Sequence, residues 1–319
     1  MLRHYDSLGL VRPTGRTDAG YRDYSDEDIR RIFHVESLRS LGLSLREVGR
    51  ALDDPGFTPA QLVGDLVRQT RERIAAETEL LTRLDRIGAA EPAGWEDVLQ
   101  TVALLQALGS KSAATRQRAA LSSAEEAPVP VEALVEAVLT ETDPNVAGAL
   151  RWALARSGDA GLALLAEGLA SPDPEVRERA VRSVAEIPDD AATTLLKEAL
   201  ADSCVAVRSY AAVALGARGV ADAVPTLVDV VVDEANDVDA ADALGSLALD
   251  PALADRIATG LVDRLTPGTV GSSARRRLTQ ALADIPGTTA SRALGELAHD
   301  EDRAVALTAA YVLKLRDAR

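Results

Sequence analysis

Reactive chemistry needs nucleophiles, metal ligands or paired acids at workable spacing, and most of this chain offers none. Cys204 is the sole cysteine, so neither an intrachain disulfide nor a multi-thiolate metal site fits. In the stretch 95–319 the one histidine is His299, and a single histidine without partners is a surface residue far more often than a catalyst. The acidic runs DDAA and DEANDVD read as helix caps and solvated turns before they read as a cation site. Arg275, Arg276 and Arg277 read as salt-bridge partners of an acidic surround. The first 55 residues are different, because arginine and tyrosine alternate closely in LRHYDSLGLVRP and LVRPTGRTDAGYRDYS. A guanidinium fork pairs with phosphate oxygens, and a phenol adds a hydrogen bond, so the chemistry on offer is phosphate recognition.

Such groups need elements to hold them. Leu2, Tyr5 and Leu8 share one side of a short helix that Gly9 can stop. The segment around TGRTDAGYRDY reads as a small β-hairpin. Ser25, followed by Asp26, Glu27 and Asp28, opens a helix carrying Ile29, Ile32, Phe33, Leu38 and Leu41 and ending at Gly42. Ser44 caps a second helix with Leu45, Val48 and Leu52 as its apolar face. After DDPGF, Thr58 and Pro59 start one long helix in which Val67, Ile74 and Leu81 recur every seven residues, with Thr70, Glu77 and Leu84 at the complementary position.

The order of LRHYDSLGLVRP, GYRDYS and LGLSLREV resembles the MerR family of regulators, over residues 1–88 at most. Its members share a pattern like L-R-Y-Y-[DE]-x-x-G-L-[LV]-x-P, then a wing ending G-Y-R-x-Y, then a helix pair ending L-G-[LF]-S-L-x-E-[IV]. The resemblance implies that Arg3, His4 and Tyr5 on the helix, and Arg16, Tyr21, Arg22 and Tyr24 on the wing, contact DNA. His4 stands where the family often has a second tyrosine. It further implies that the long helix pairs with a second copy through Val67, Ile74, Leu81 and Leu84. Members begin with a helix and turn ahead of LRHYD. The expectation is therefore a partial winged helix-turn-helix lacking its first helix, with Met1 as an internal methionine or the gene truncated. Leu2, Leu8 and Leu10 are expected to miss a packing partner, and DNA binding is expected to be weak and little sequence-selective.

From residue 95 onward the chain is self-similar. DPNVAGALRWALARSG, DPEVRERAVRSVAEIP and DSCVAVRSYAAVALGARG line up, with weaker copies at ANDVDAADALGSLALDP, TVGSSARRRLTQALADIP and DRAVALTAAYVLKL. The aligned valines are Val146, Val176, Val207, Val238, Val270 and Val305. Each unit supplies two helices, and one pair cannot cover its own apolar face, so neighbours must stack. The pattern resembles short HEAT repeats of the kind found in bilin-lyase-like proteins.

The expected fold is all-α: a DNA-binding region at 1–55 with a small hairpin wing, a dimerisation helix at 56–90, and an α-solenoid of HEAT-like repeats at 95–319. The net charge of −15 argues against DNA contact as a whole. It is unevenly placed, however: residues 1–88 hold 14 arginines and 15 acids, so nearly all the excess acid lies behind them. The expected function is a bacterial transcription regulator that is not an enzyme and needs no cofactor. Its expected partners are double-stranded promoter DNA, a second copy, and an unknown protein or small-molecule effector met by the repeats. Charges at Glu167, Glu198 and Asp229 on the second helices are expected to meet a basic partner. The competing expectation is a HEAT-repeat interaction scaffold that has lost DNA binding. With no apolar run of membrane-spanning length and no signal-peptide core at the start, the expected compartment is the cytoplasm.

Overall fold

A computed structural model of the chain describes residues 1–54, 58–90, 92–123, 130–233, 235–266 and 270–317. It is all-helical apart from one two-stranded hairpin, and it divides into two compact units, Met1–Arg83 and Leu84–Arg319. Among the described residues no helix is long and apolar enough to cross a membrane.

The first unit runs α1 (Leu2–Ser7), β1 (Gly15–Arg16), β2 (Arg22–Asp23), α2 (Asp26–Ser40), α3 (Leu45–Asp53) and the start of α4 (Pro59–Ala89). Both capping serines act as the sequence suggests. Ser25 accepts from the Asp28 amide while Asp28 accepts from the Ser25 amide, and Ser44 and Glu47 do the same for α3. Thr58 and Gln61 exchange the equivalent pair of bonds at the start of α4. Tyr5, Leu10, Val11, Val35, Leu43 and Val48 form the core, with Leu62 and Leu66 of α4 packed against it.

Two expectations change here. Leu10 needs no further helix to cover it: it is buried and sits against Gly49 of α3, where an added Cβ would come within 3.1 Å of its Cδ2. Leu2 and Leu8 do remain exposed. On α2 the buried residue is Val35, flanked by half-buried Ile32 and Leu38, while Ile29, Phe33 and Leu41 face out. Positions 32, 35 and 38 lie three apart and share the face turned to α3; position 33 lies about 100° round the helix from 32.

In the second unit α5 (Trp95–Leu108) packs on α6 (Ala113–Ser123), and helix pairs follow. The first helices of the pairs are α6, α8 (Pro144–Arg156), α10 (Pro174–Glu186), α12 (Val205–Ala217), α14 (Asp237–Leu247), α16 (Ser272–Ala281) and α18 (Arg303–Asp317), each packed on the next. The second helices are α7 (Val131–Thr140), α9 (Leu162–Leu169), α11 (Asp190–Ala199), α13 (Val224–Asp233), α15 (Pro251–Arg264) and α17 (Thr288–Leu297). One hydrophobic core runs through the stack from Leu108 to Val312. Asp143 and Asp173 cap α8 and α10 with Pro144 and Pro174 in the first turn, each cap worth about 1 kcal/mol.

A recurrent arginine joins consecutive units. Arg116 Nε donates to Glu141 at 2.7 Å, Arg177 Nε to Asp202 at 2.9 Å, and Arg275 Nη1 to Asp300 at 3.1 Å. The separation is 25 residues each time. Each acid then accepts from the amide two residues on, those of Asp143, Cys204 and Asp302, at 2.8, 2.7 and 2.9 Å. Those three residues stand at the start of the next first helix, so the arginine of one unit sets the entry angle of its successor. Arg116 and Arg177 also donate to the carbonyls six residues back, of Ser110 and Ser171.

The valine alignment slips in the two weakest copies. Val146, Val207 and Val305 are buried and Val176 is half-buried, but Val238 is 66% exposed and Val270 precedes α16 altogether. Buried alanines, Ala240 and Ala274, occupy the core face of those helices instead. A valine marks register only where the helix begins at a fixed distance from it. α14 starts from Asn236 with left-handed φ of 62°, and α16 starts from Gly271.

Candidate nucleic-acid interface

The wing is fixed to α1 from within. The hairpin register pairs Gly15 with Asp23 and Arg16 with Arg22. Its turn closes with the Thr17 amide donating to Tyr21 at 2.9 Å, and Gly20, at φ of 80°, supplies the left-handed residue. Arg22 Nη2 reaches Asp6 on α1 at 3.1 Å. At the other end Thr14 donates to Asp28, the partner of the Ser25 cap in the first turn of α2. That bond, together with those from Ser25, holds the Asp28 carboxyl below the usual aspartate range. Arg31 of α2 donates from Nε to the Leu10 carbonyl at 2.5 Å and pairs with Asp53 of α3. The loop between helix and wing is therefore tied to α2, which Arg31 in turn links to α3.

The expected contact residues separate into two groups. Arg3 and His4 on α1 and Arg16 and Tyr21 on the hairpin are exposed, with Tyr21 at 75%. Arg22 is half-buried and spends one amino group on Asp6. Tyr5 is a core residue, 4% exposed, and its hydroxyl donates to Glu36 at 2.8 Å. Burial foremost, and then the Glu36 carboxylate, push its phenol pKa up, so it stays protonated as a donor. The structure thus places the Tyr5 hydroxyl on Glu36 inside the head, and not on the exposed face where the resemblance implies a phosphate contact. Tyr5 is the buried residue of α1, and only the family pattern had pointed it outward. Tyr24 is half-buried, and its hydroxyl has no hydrogen-bond partner among the described residues. A buried hydroxyl left this way costs about 1–3 kcal/mol.

The structure adds Arg12, which the sequence reading passed over. It is exposed, and its guanidinium lies 3.7 Å from where a Cβ on Gly9 would stand, at the end of α1. Its signal was the VRP step between helix and wing.

On α4 the four residues expected at a dimer seam are exposed: Val67 at 43%, Ile74 at 60%, Leu81 at 58% and Leu84 at 54%. Val63, also exposed, extends the same stripe by one turn. Leu62 and Leu66, on the opposite flank, are the ones turned to the head core. The DEANDVD loop includes Glu234, and the DDPGF segment includes Pro55, Gly56 and Phe57; these lie outside the described residues.

Residues 1–54 match the family model described as MerR HTH family regulatory protein, and residues 162–248 match that of HEAT repeats. The nodulation protein NolA of Bradyrhizobium sp. strain NC92 is 40% identical over 87 residues, 27% of this chain and 35% of that protein. The regulator SkgA of Caulobacter vibrioides is 39% identical over 83 residues, 26% of this chain and 31% of that protein. The activator TipA of Streptomyces coelicolor is 47% identical over 58 residues, 18% of this chain and 23% of that protein. The chain thus spans about a third or less of the length of these curated relatives. Among solved structures, the karyopherin Kap121p bound to the extreme C-terminus of the phosphatase Cdc14p superposes with a TM-score of 0.49 at 15% identity, over 91% of this chain and 33% of that one. An engineered protein superposes with a TM-score of 0.38 at 25% identity, over 72% of this chain and 73% of that one.

Proposed function

We propose that this chain, which carries a MerR-type regulatory head and a HEAT-repeat array, is a transcription regulator that binds promoter DNA as a homodimer and takes its signal through the array. The observation that carries the reading is the wing. Arg22 and Asp6 pin it to α1, and this leaves Arg3, Arg16 and Tyr21 exposed on a head of the matched type. Exposed guanidinium groups on a rigid hairpin suit phosphate oxygens, and such contacts fix position on a duplex more than they read sequence. The exposed stripe of α4 supports pairing of two heads, since apolar residues in a seven-residue repeat bury only against another helix. The absence of nucleophile and acid pairs from the array's sequence supports a binding role for it over catalysis.

The experiment is fluorescence anisotropy on duplexes selected by the protein from a random library, read across a salt series. Phosphate binding predicts log affinity falling linearly with log salt, and Arg3→Ala or Arg16→Ala each lowering the slope by about 1. If no duplex is bound at low salt, the regulator reading fails.

A further inference from the structure

We propose that the cleft between α14 and α18, floored by α16, is a docking site for a basic amphipathic helix of a partner protein. The proposal rests on the reading of the array as a partner-sensing surface. The cavity is about 560 Å³ and partly open to solvent. One wall is apolar: Leu307, Tyr311 and Leu315 of α18 line it, and they are 61%, 62% and 43% exposed. They recur every four residues, so the stripe is about 12 Å long at 1.5 Å per residue. Three large apolar side chains in line along a helix match the ridge of another helix better than they match a compact solute. They face back across the cleft to Val238 of α14, itself 66% exposed.

The facing wall is acidic. α14 holds Asp237, Asp239 and Asp242 and no lysine or arginine, and Asp237 and Asp242 line the cleft. Arg277 of the floor lies 3.7 Å from Asp237 and offsets its charge while donating to the carbonyls of Val231 and Val232, and Arg316 donates to that of Leu282. The negative charge of the wall is therefore carried by exposed Asp242, with exposed Asp239 beside it on α14. An occupant with apolar residues on one edge and lysine or arginine on the other satisfies both walls, and an acidic helix is repelled by the second. Below the cleft α13 packs directly on α16. At Gly245 α14 comes close to the turn after α16, where an added Cβ would stand 3.3 Å from that of Asp284.

The test uses the full chain and a fluorescein-labelled 18-residue helix of leucine and lysine, with leucine on one face, followed by anisotropy at physiological salt. A second peptide has glutamate for every lysine. The leucine–lysine helix is expected to bind, and the leucine–glutamate helix to bind at least about tenfold more weakly. Leu307→Ser with Tyr311→Ser is expected to weaken the first peptide about tenfold or more, since both residues are exposed in the free chain and their loss is felt only on contact. Asp239→Asn with Asp242→Asn, which leaves the Arg277–Asp237 pair intact, is expected to weaken it severalfold and to flatten its salt dependence. Amide exchange should slow in α14 and α18 when the peptide is added. Equal binding by the serine double variant, equal binding of both peptides, or no binding of the lysine peptide overturns the proposal. DNA affinity is measured on the same samples: its retention when the peptide arm fails leaves the regulator reading standing, and its loss in the wild type removes that reading alone.

Discussion

Tyr5 separates packing from recognition at a single hydroxyl. Tyr5→Phe removes the donor to Glu36 and nothing else in the core, so it is expected to lower stability by about 1 kcal/mol and to leave DNA affinity unchanged. Chemical denaturation and anisotropy on the same sample decide it; a large loss of affinity would return Tyr5 to the interface. The joining arginines yield a second residue-scale prediction. Arg177 and Asp202 side chains are only 13% and 14% exposed, so Arg177→Ala leaves a largely buried carboxylate without its main partner. The expected cost is about 2–3 kcal/mol at neutral pH, read as a shift in urea midpoint. The Arg116 and Arg275 hydrogen bonds are the main influences depressing Glu141 and Asp300. For Asp202 burial is the largest influence and acts upward, but the bonds from Arg177 and the Cys204 amide outweigh it and the net shift is down. Folded pKa values below the unfolded 3.8 and 4.5 mean that the stabilisation is complete above those values and is lost as pH falls through the folded ones. The gap between wild type and Arg177→Ala is therefore expected to narrow in acid, and a constant gap from pH 7 to pH 2 would count against the pairing.

At the scale of elements, close approach and exposed seams make opposite demands. An added Cβ at Gly216 on α12 would stand 2.7 Å from the Cβ of Ala243 on α14 and 3.1 Å from Leu227. Gly216→Ala is expected to cost about 1–3 kcal/mol by overpacking, and Ala243→Gly in the same chain to recover part of it. Additive losses in the double variant would show that the two helices do not meet there. For α4, Ile74→Asp puts a charge in the middle of the exposed stripe. Under the dimer reading it abolishes the dimer in light scattering while the helical signal persists; a wild-type chain that is already monomeric at micromolar concentration refutes the pairing. Much of this layout was legible from residue order. Ser25 and Ser44 announced their helices because a capping box is a local device, and the wing was legible because a tight turn needs its glycine. The α14 register was not, because it depends on where the preceding loop releases the chain, and Asn236 in a left-handed turn decides that from outside the repeat pattern. Nor was the role of Tyr5, because Glu36 lies 31 residues away and becomes its partner only after folding.

For the molecule as a whole, the two hydrophobic cores share no residue. Two separately cored units do not obey two-state bookkeeping, so denaturation is expected in two phases. Tyr5→Phe is expected to move one phase and Arg177→Ala the other, as followed by circular dichroism in urea; one transition moved equally by both variants would show the cores to be coupled. The bond from arginine to an acid 25 residues ahead also acts as a ruler. It spans a full helix pair and ends at the cap of the next, so a residue gained or lost between its ends breaks a buried ion pair rather than merely lengthening a loop. The units begun by α6, α10 and α16 carry it, so an inserted residue is expected to cost most in those three. A length change in a unit without the bond is left with the smaller cost of closing a longer loop.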